Sequence, residues 1–209
     1  MFWSLGTLLL VVAALTYGYW DHRGKSRRIT RVLAPLAGKY AGQLKAANFL
    51  ALPQLRFELA GRRFLVTVMA NSGAQIGSSG PFTVVEAELP FDTGEKLRIE
   101  RSDGRLSRGV RRLVDKARSG GVGPTGDDAF DRVFRLAAGE RVFANKLLDA
   151  DLRSRLLGTA LPQLDLRVDG SKVTVLMNGS AQSATQVEAL IDLAMSVGDR
   201  CERDRTGAG

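Results

Sequence analysis

From Phe2 to Trp20 the chain runs for nineteen residues without a charged side chain, and Ser4, Thr7 and Thr16 are its aliphatic hydroxyls. As a helix this stretch is about 28 Å long, close to the hydrocarbon thickness of a bilayer. Trp3 stands near one end, and Tyr17, Tyr19 and Trp20 cluster at the other, the placement of an aromatic belt. A cleaved secretory leader fits less well. No basic side chain precedes the apolar run, and Thr16-Tyr17-Gly18-Tyr19-Trp20 is bulky where cleavage needs small residues. The pattern therefore predicts a transmembrane helix over 1–21 and a lipid bilayer contact through residues 2–20. Bases follow at once (Arg23, Lys25, Arg27, Arg28, Arg31), so the positive-inside rule puts the amino terminus outside and the bulk of the chain in the cytoplasm.

Beyond a basic juxtamembrane linker at 22–29, the periodicity changes repeatedly. Ile29, Leu33, Leu36, Tyr40, Leu44 and Ala47 recur at helical spacing, which predicts a helix from Thr30 to about Asn48. Ala34, Gly38, Gly42 and Ala46 form a second stripe of small residues, read as close packing of that helix on a sheet. Leu55, Phe57 and Leu59 alternate with polar residues, turn at Ala60-Gly61 and return through Phe64, Val66 and Val68, a hairpin. Phe82–Phe91 and Leu97–Arg101 read as a second antiparallel pair. Asp103–Arg118 is an amphipathic helix, with Leu106, Val110, Leu113, Val114 and Ala117 on one face. Phe130–Ala137 reads as a helical turn passing into a strand, and helical pieces follow up to Gly158. Leu164–Val168 and Val173–Met177 form another hairpin about Asp169-Gly170. A last helix starts at Thr185, with Glu188 completing a capping box.

Leu52-Pro53-Gln54-Leu55 recurs as Leu161-Pro162-Gln163-Leu164 ahead of the second hairpin, which raises an internal duplication or two hairpins obeying the same rules. The fold class is α+β: one N-terminal transmembrane helix, then antiparallel hairpins packed with about four helices. The expected organisation is span 1–21, linker 22–29, a cytoplasmic α+β domain 30–200 and a disordered tail 201–209.

Charge sharpens this picture. Lys and Arg number 30 against 22 Asp and Glu, a net +8. Residues 21–31 hold five bases and one acid (+4), residues 98–118 eight bases and three acids (+5), so the remainder sums to −1. Two patches, not a uniformly basic surface, set the balance, which argues against a histone-like or ribosomal role. The second patch fans Arg105, Arg108, Arg111, Arg112, Lys116 and Arg118 across the polar face of the 103–118 helix, a candidate contact for anionic lipid headgroups. No aromatic accompanies these arginines for base stacking, which argues against nucleic acid.

Familiar catalytic sets are missing. One cysteine, Cys201, leaves no internal disulfide or cysteine zinc site, and one histidine, His22, leaves no histidine pair or histidine triad in the folded part. Gly121-Val122-Gly123-Pro124-Thr125-Gly126 matches G-x-G-x-x-G, but a helix rather than a strand precedes it, so it reads as a linker. Asp127, Asp128 and Asp131 lack the alternate-residue spacing of a calcium loop and read as a helix cap with a local ion pair. No catalytic residue, cofactor or metal is expected.

The run Gly126-Asp127-Asp128-Ala129-Phe130-Asp131-Arg132-Val133-Phe134, a G-D-x-x-F-D-x-x-F motif, resembles a pattern in uncharacterised bacterial proteins with one amino-terminal span. That resemblance implies a bacterial inner-membrane setting and carries no activity across. The function expected from sequence is a membrane-anchored, non-catalytic interaction module with an unknown protein partner. The alternatives are anionic lipid-surface binding through 105–118, and an enzyme whose site is built from Asp and Arg.

Overall fold

The structure, a computed structural model, describes residues 2–47, 52–69, 81–101, 124–159, 161 and 163–206. Helix α1 (Phe2–Lys39) leads into β1 (Gln43–Lys45), β2 (Gln54–Leu59), β3 (Arg62–Met69), β4 (Phe82–Glu88) and β5 (Lys96–Arg101). Then come α2 (Asp128–Val133), β6 (Phe134–Ala138), α3 (Arg141–Leu147), α4 (Ala150–Gly158), β7 (Asp165–Asp169), β8 (Lys172–Asn178) and α5 (Ala184–Thr206). The strands form one eight-stranded sheet in the order β1-β2-β3-β4-β8-β7-β5-β6, antiparallel at every pairing.

Alternation along the strands builds the core. Because side chains point to opposite faces with period two, directly paired residues share a face. One row crosses seven strands as Leu55, Val66, Val85, Val175, Leu166, Ile99 and Leu136. The next runs Phe57, Phe64, Ala87, Val173, Val168, Leu97 and Ala138. Nearly all of these are buried. Above them α5 lays Val187, Leu190, Ile191, Ala194 and Val197 along β4 and β8, while α1 brings Ile29, Leu33 and Leu36 to β1 and β2. Tyr40 stacks on Phe57, and Phe57 on Phe64, at 4.7 and 5.0 Å between ring centroids.

The hairpin Leu55–Val68 forms with its predicted register, turning at Ala60 and Gly61, both in the left-handed region. The helical turn passing into a strand is α2 followed by β6. The second hairpin also forms, with Gly170 and Ser171 at its tip.

Several readings require correction. Among the described residues no helix is long and apolar enough to cross a membrane, so the transmembrane span over 1–21 and the single-pass inner-membrane location with its orientation are not supported. The apolar run is not a separate segment. It is interrupted by Ser4, Gly6, Thr7, Thr16 and Gly18 and continues without a break into Asp21, Arg23 and Lys25 within one 38-residue helix. Residues 22–29, read as a basic juxtamembrane linker, are helical and belong to α1. At the other end α1 stops at Lys39 instead of Asn48. The chain reverses through Ala41 (φ 48°), and a strand, β1, takes the following residues.

β4 and β5 do not pair with each other. The β7–β8 hairpin inserts between them, a non-local choice that alternation alone cannot make. The helix read from Thr185 starts at Ala184: Ser183 Oγ accepts from the Gln186 N–H at 3.3 Å, and Glu188 instead pairs with Lys39 at 2.7 Å. α5 also runs on through Thr206 and buries Cys201, inside the stretch read as a tail. Finally, the two Leu-Pro-Gln-Leu segments enter their hairpins differently. Leu55 faces Val66, whereas Val175, the counterpart of Val66, faces Leu166 and not Leu164.

Candidate functional site

Among the described residues, burial gathers charged side chains in three places, each fixed by a pair of elements. The first lies on the sheet face opposite the helices. Asp165, at the start of β7, is only 4% exposed and accepts from Arg98 Nη2 of β5 at 2.8 Å and Arg167 Nη2 at 2.6 Å. Arg98 also pairs with Glu100 at 3.3 Å. The strand register makes this cluster: Arg98 stands beside Arg167, and Glu100 beside Asp165. Hydrogen bonding to Asp165 raises the Arg167 pKa above its ordinary value against the opposing effect of burial.

The second ties α4 to α5. Asp149 caps α4 by accepting from the Leu152 N–H at 2.7 Å, which satisfies an orphan backbone donor. Arg200, 8% exposed, holds Asp149 through Nε at 3.0 Å and Nη2 at 2.9 Å, and Asp151 through Nη2 at 2.7 Å. Its Nη1 donates to the Ser196 carbonyl and hydroxyl. Burial pushes the Asp149 carboxyl up, but the hydrogen bonds from Arg200 and the Leu152 N–H outweigh it and leave the group below the usual carboxylate range.

The third joins β3 to α5. Arg62 is 2% exposed and reaches Asp199 at 2.8 Å, Glu202 at 2.8 Å and the Met195 carbonyl at 3.3 Å. Its guanidinium lies against Gly198, where a Cβ would stand 2.8 Å from Nη1 and 3.0 Å from Cζ. Burial opposes the charge, yet the bonds to Glu202 and Asp199 raise the Arg62 pKa. Cys201 is buried nearby, and desolvation pushes its thiol up to about 12. A sulfur so placed is a packing group and not a nucleophile.

The three aspartates of the G-D-x-x-F-D-x-x-F motif do not converge on a common point. Asp127 caps α2, accepting from the Ala129 and Phe130 N–H groups at 3.1 Å. Asp131 folds back to accept from the Thr125 hydroxyl at 2.8 Å and from the Thr125 and Gly126 N–H groups. Asp128 is exposed. The two phenylalanines, Phe130 and Phe134, stack at 4.9 Å inside the core. The motif is therefore a fastening: polar residues shape the loop while the aromatics anchor it. Among the described residues no group of three His, Cys, Asp or Glu is placed to hold a metal ion.

The sequence-predicted contact residues Arg105, Arg108, Arg111, Arg112, Lys116 and Arg118 lie outside the described residues, as do Gly121, Val122 and Gly123. His22 lies on α1, half-buried. Sequence reasoning missed Arg62, Arg200 and Asp165. Only Gly198 gave a signal, since glycine inside an amphipathic helix is costly without a close neighbour.

The architecture defined here is a two-layer α+β domain with helices on one face of an eight-stranded antiparallel sheet. No family model and no curated protein matches the sequence. The fold is similar to that in the crystal structure of the mycobacterial trehalose monomycolate transport factor A, TtfA, with a TM-score of 0.56 and 12% identity. The match covers 85% of this chain and 94% of that one. At that identity the likeness is one of fold alone.

Proposed function

We propose that the chain is a non-catalytic interaction module, an accessory factor that presents part of its sheet layer to a protein partner. The observation that carries the reading is the closure of its buried charges on one another. Asp165 sits between two guanidiniums, Arg200 between two carboxylates, and Arg62 among Asp199, Glu202 and a carbonyl. Groups locked in ion pairs stiffen a scaffold and are poorly suited to exchanging protons with a substrate. The fold shared with a transport factor supports an accessory role, and its cargo is not carried over to this chain.

The test is photo-crosslinking in cells that make the protein, with the reactive residue placed at Arg56 or Lys172 on the sheet face away from the helices, or at Asp192 on α5. Discrete adducts with a protein partner from the sheet positions, reduced by excess unlabelled chain, are expected. Absence of discrete adducts from every position overturns the reading. So does a turnover activity of the pure protein that disappears in Asp165→Asn with the fold intact.

A further inference from the structure

The two ends of the sheet are unlike. β1 has three residues ending in Lys45, whereas β6 (Phe134-Arg135-Leu136-Ala137-Ala138) is longer and contains no Pro, Gly or Lys to blunt it. Its hydrogen-bond phase follows from one contact. The Gly139 N–H donates to the Lys96 carbonyl at 2.9 Å, so in this antiparallel ladder Ala137 and Arg135 bond to β5 while Phe134, Leu136 and Ala138 turn their backbone groups outward. The Phe134 N–H is already used by the Phe130 carbonyl. Leu136 and Ala138 retain outward N–H and C=O groups for which no strand among the described residues supplies partners. α2 and α3 flank the strand in sequence and touch it, packing also on α4 and on α5 respectively, and among the described residues no further strand lies beyond β6 in the sheet.

From this edge we infer that β6 pairs with β6 of a second copy of the chain, antiparallel about a two-fold axis centred on Leu136. Such an isologous contact needs a self-complementary patch. The sequence around Leu136 supplies one. Residues equidistant from it face each other across the axis, so Arg135 meets Ala137 of the second copy, and Phe134 meets Ala138. No like charges are opposed. Leu136 exchanges its N–H and C=O with Leu136 of the second copy, and Ala138 donates to the free Phe134 carbonyl. Leu136, partly buried against the core in the single chain, is further covered by its own counterpart. The contact is small, so the dimer is weak and concentration-dependent. It does not rest on the accessory role proposed above, because it concerns the sheet edge and a copy of the same chain.

The experiment uses the full chain with Leu136→Cys under mild oxidation. Cys201 is buried, so the new thiol is the reactive one. Directly opposed hydrogen-bonded residues have a Cα separation of about 5.5 Å, which suits a disulfide. A disulfide-linked dimer is expected from Leu136→Cys and none from Ser171→Cys at the hairpin tip. In sedimentation velocity of the unoxidised chain, Leu136→Pro removes the dimer without unfolding the domain, since that N–H makes no bond to β5. A chain that stays monomeric at every concentration overturns the proposal. So does a dimer equally strong in Leu136→Pro, or one crosslinked as readily through Ser171→Cys.

Discussion

Replacing Gly198 by alanine sets two effects of similar size against each other. In a helix interior the change is favourable by about 1 kcal/mol, because alanine restricts the unfolded chain and exposes less backbone. In this protein the new Cβ would stand 2.8 Å from Arg62 Nη1, 3.0 Å from Arg62 Cζ and 3.2 Å from Leu89 Cδ2. The leucine methyl can give by a few tenths of an ångström. The guanidinium has less freedom, since it is held by the Met195 carbonyl, Asp199 and Glu202. Displacing it loses a hydrogen bond worth on the order of 1 kcal/mol. It also weakens two ion pairs whose carboxylates are 55% and 40% exposed. Solvent screening limits each of those to about 1 kcal/mol at most.

The sum favours destabilisation of Gly198→Ala by about 1–2 kcal/mol, a fall in Tm of roughly 2–8 °C for a domain of this size. In an Arg62→Met background the obstacle is gone, and the same substitution should stabilise by about 0.5–1 kcal/mol from helix propensity. Urea unfolding of the four chains, followed by circular dichroism, measures this double-mutant cycle. The reasoning is refuted if alanine has the same effect in both backgrounds, because the cost would then lie in Leu89 or the backbone. Stabilisation of the otherwise natural chain would refute it too, by showing that the guanidinium moves aside freely.

Two glycines of the small-residue stripe should part company. Gly38→Ala, with nothing within 4 Å, should stabilise by up to about 1 kcal/mol, while Gly42→Ala drives a Cβ to 2.9 Å from the Arg56 carbonyl oxygen and should destabilise. Equal Tm shifts of one sign would show that the stripe works as a unit. Cys201 should resist thiol-reactive dyes near neutral pH in the native chain and react after unfolding, given its burial and a thiol pushed up to about 12; fast native labelling contradicts that. The Asp149 carboxyl is lower in the folded than in the unfolded chain, so its contribution is present above the ordinary carboxylate pKa and is lost as pH falls through the folded value. Asp149→Asn should therefore flatten part of the acid side of the stability–pH curve, and an unchanged curve counts against the Arg200 clamp.

Local pattern carried much of this molecule. The hairpins around Ala60-Gly61 and Asp169-Gly170, the passage of α2 into β6 and the apolar face of α5 are legible because strand and helix periods repeat within a few residues. The capping role of Asp127 is legible for the same reason, since the cap and the N–H groups it accepts from are neighbours in sequence.

Strand order is another matter. Nothing in residues 82–101 announces that β8 and β7 will come between β4 and β5, because alternation marks a buried face and does not name a neighbour. The extent of α1 was hidden too. The onset of charge at Asp21 predicts a break, yet a helix takes its length from backbone bonding and can run across a change in polarity. The clusters around Arg62, Arg200 and Asp165 join residues 140, 51 and 67 positions apart, in the pairs Arg62–Glu202, Arg200–Asp149 and Arg98–Asp165. Their side chains look like ordinary surface charge in the sequence. Only folding takes them out of water, and only the tertiary arrangement decides which opposite charge each one meets there.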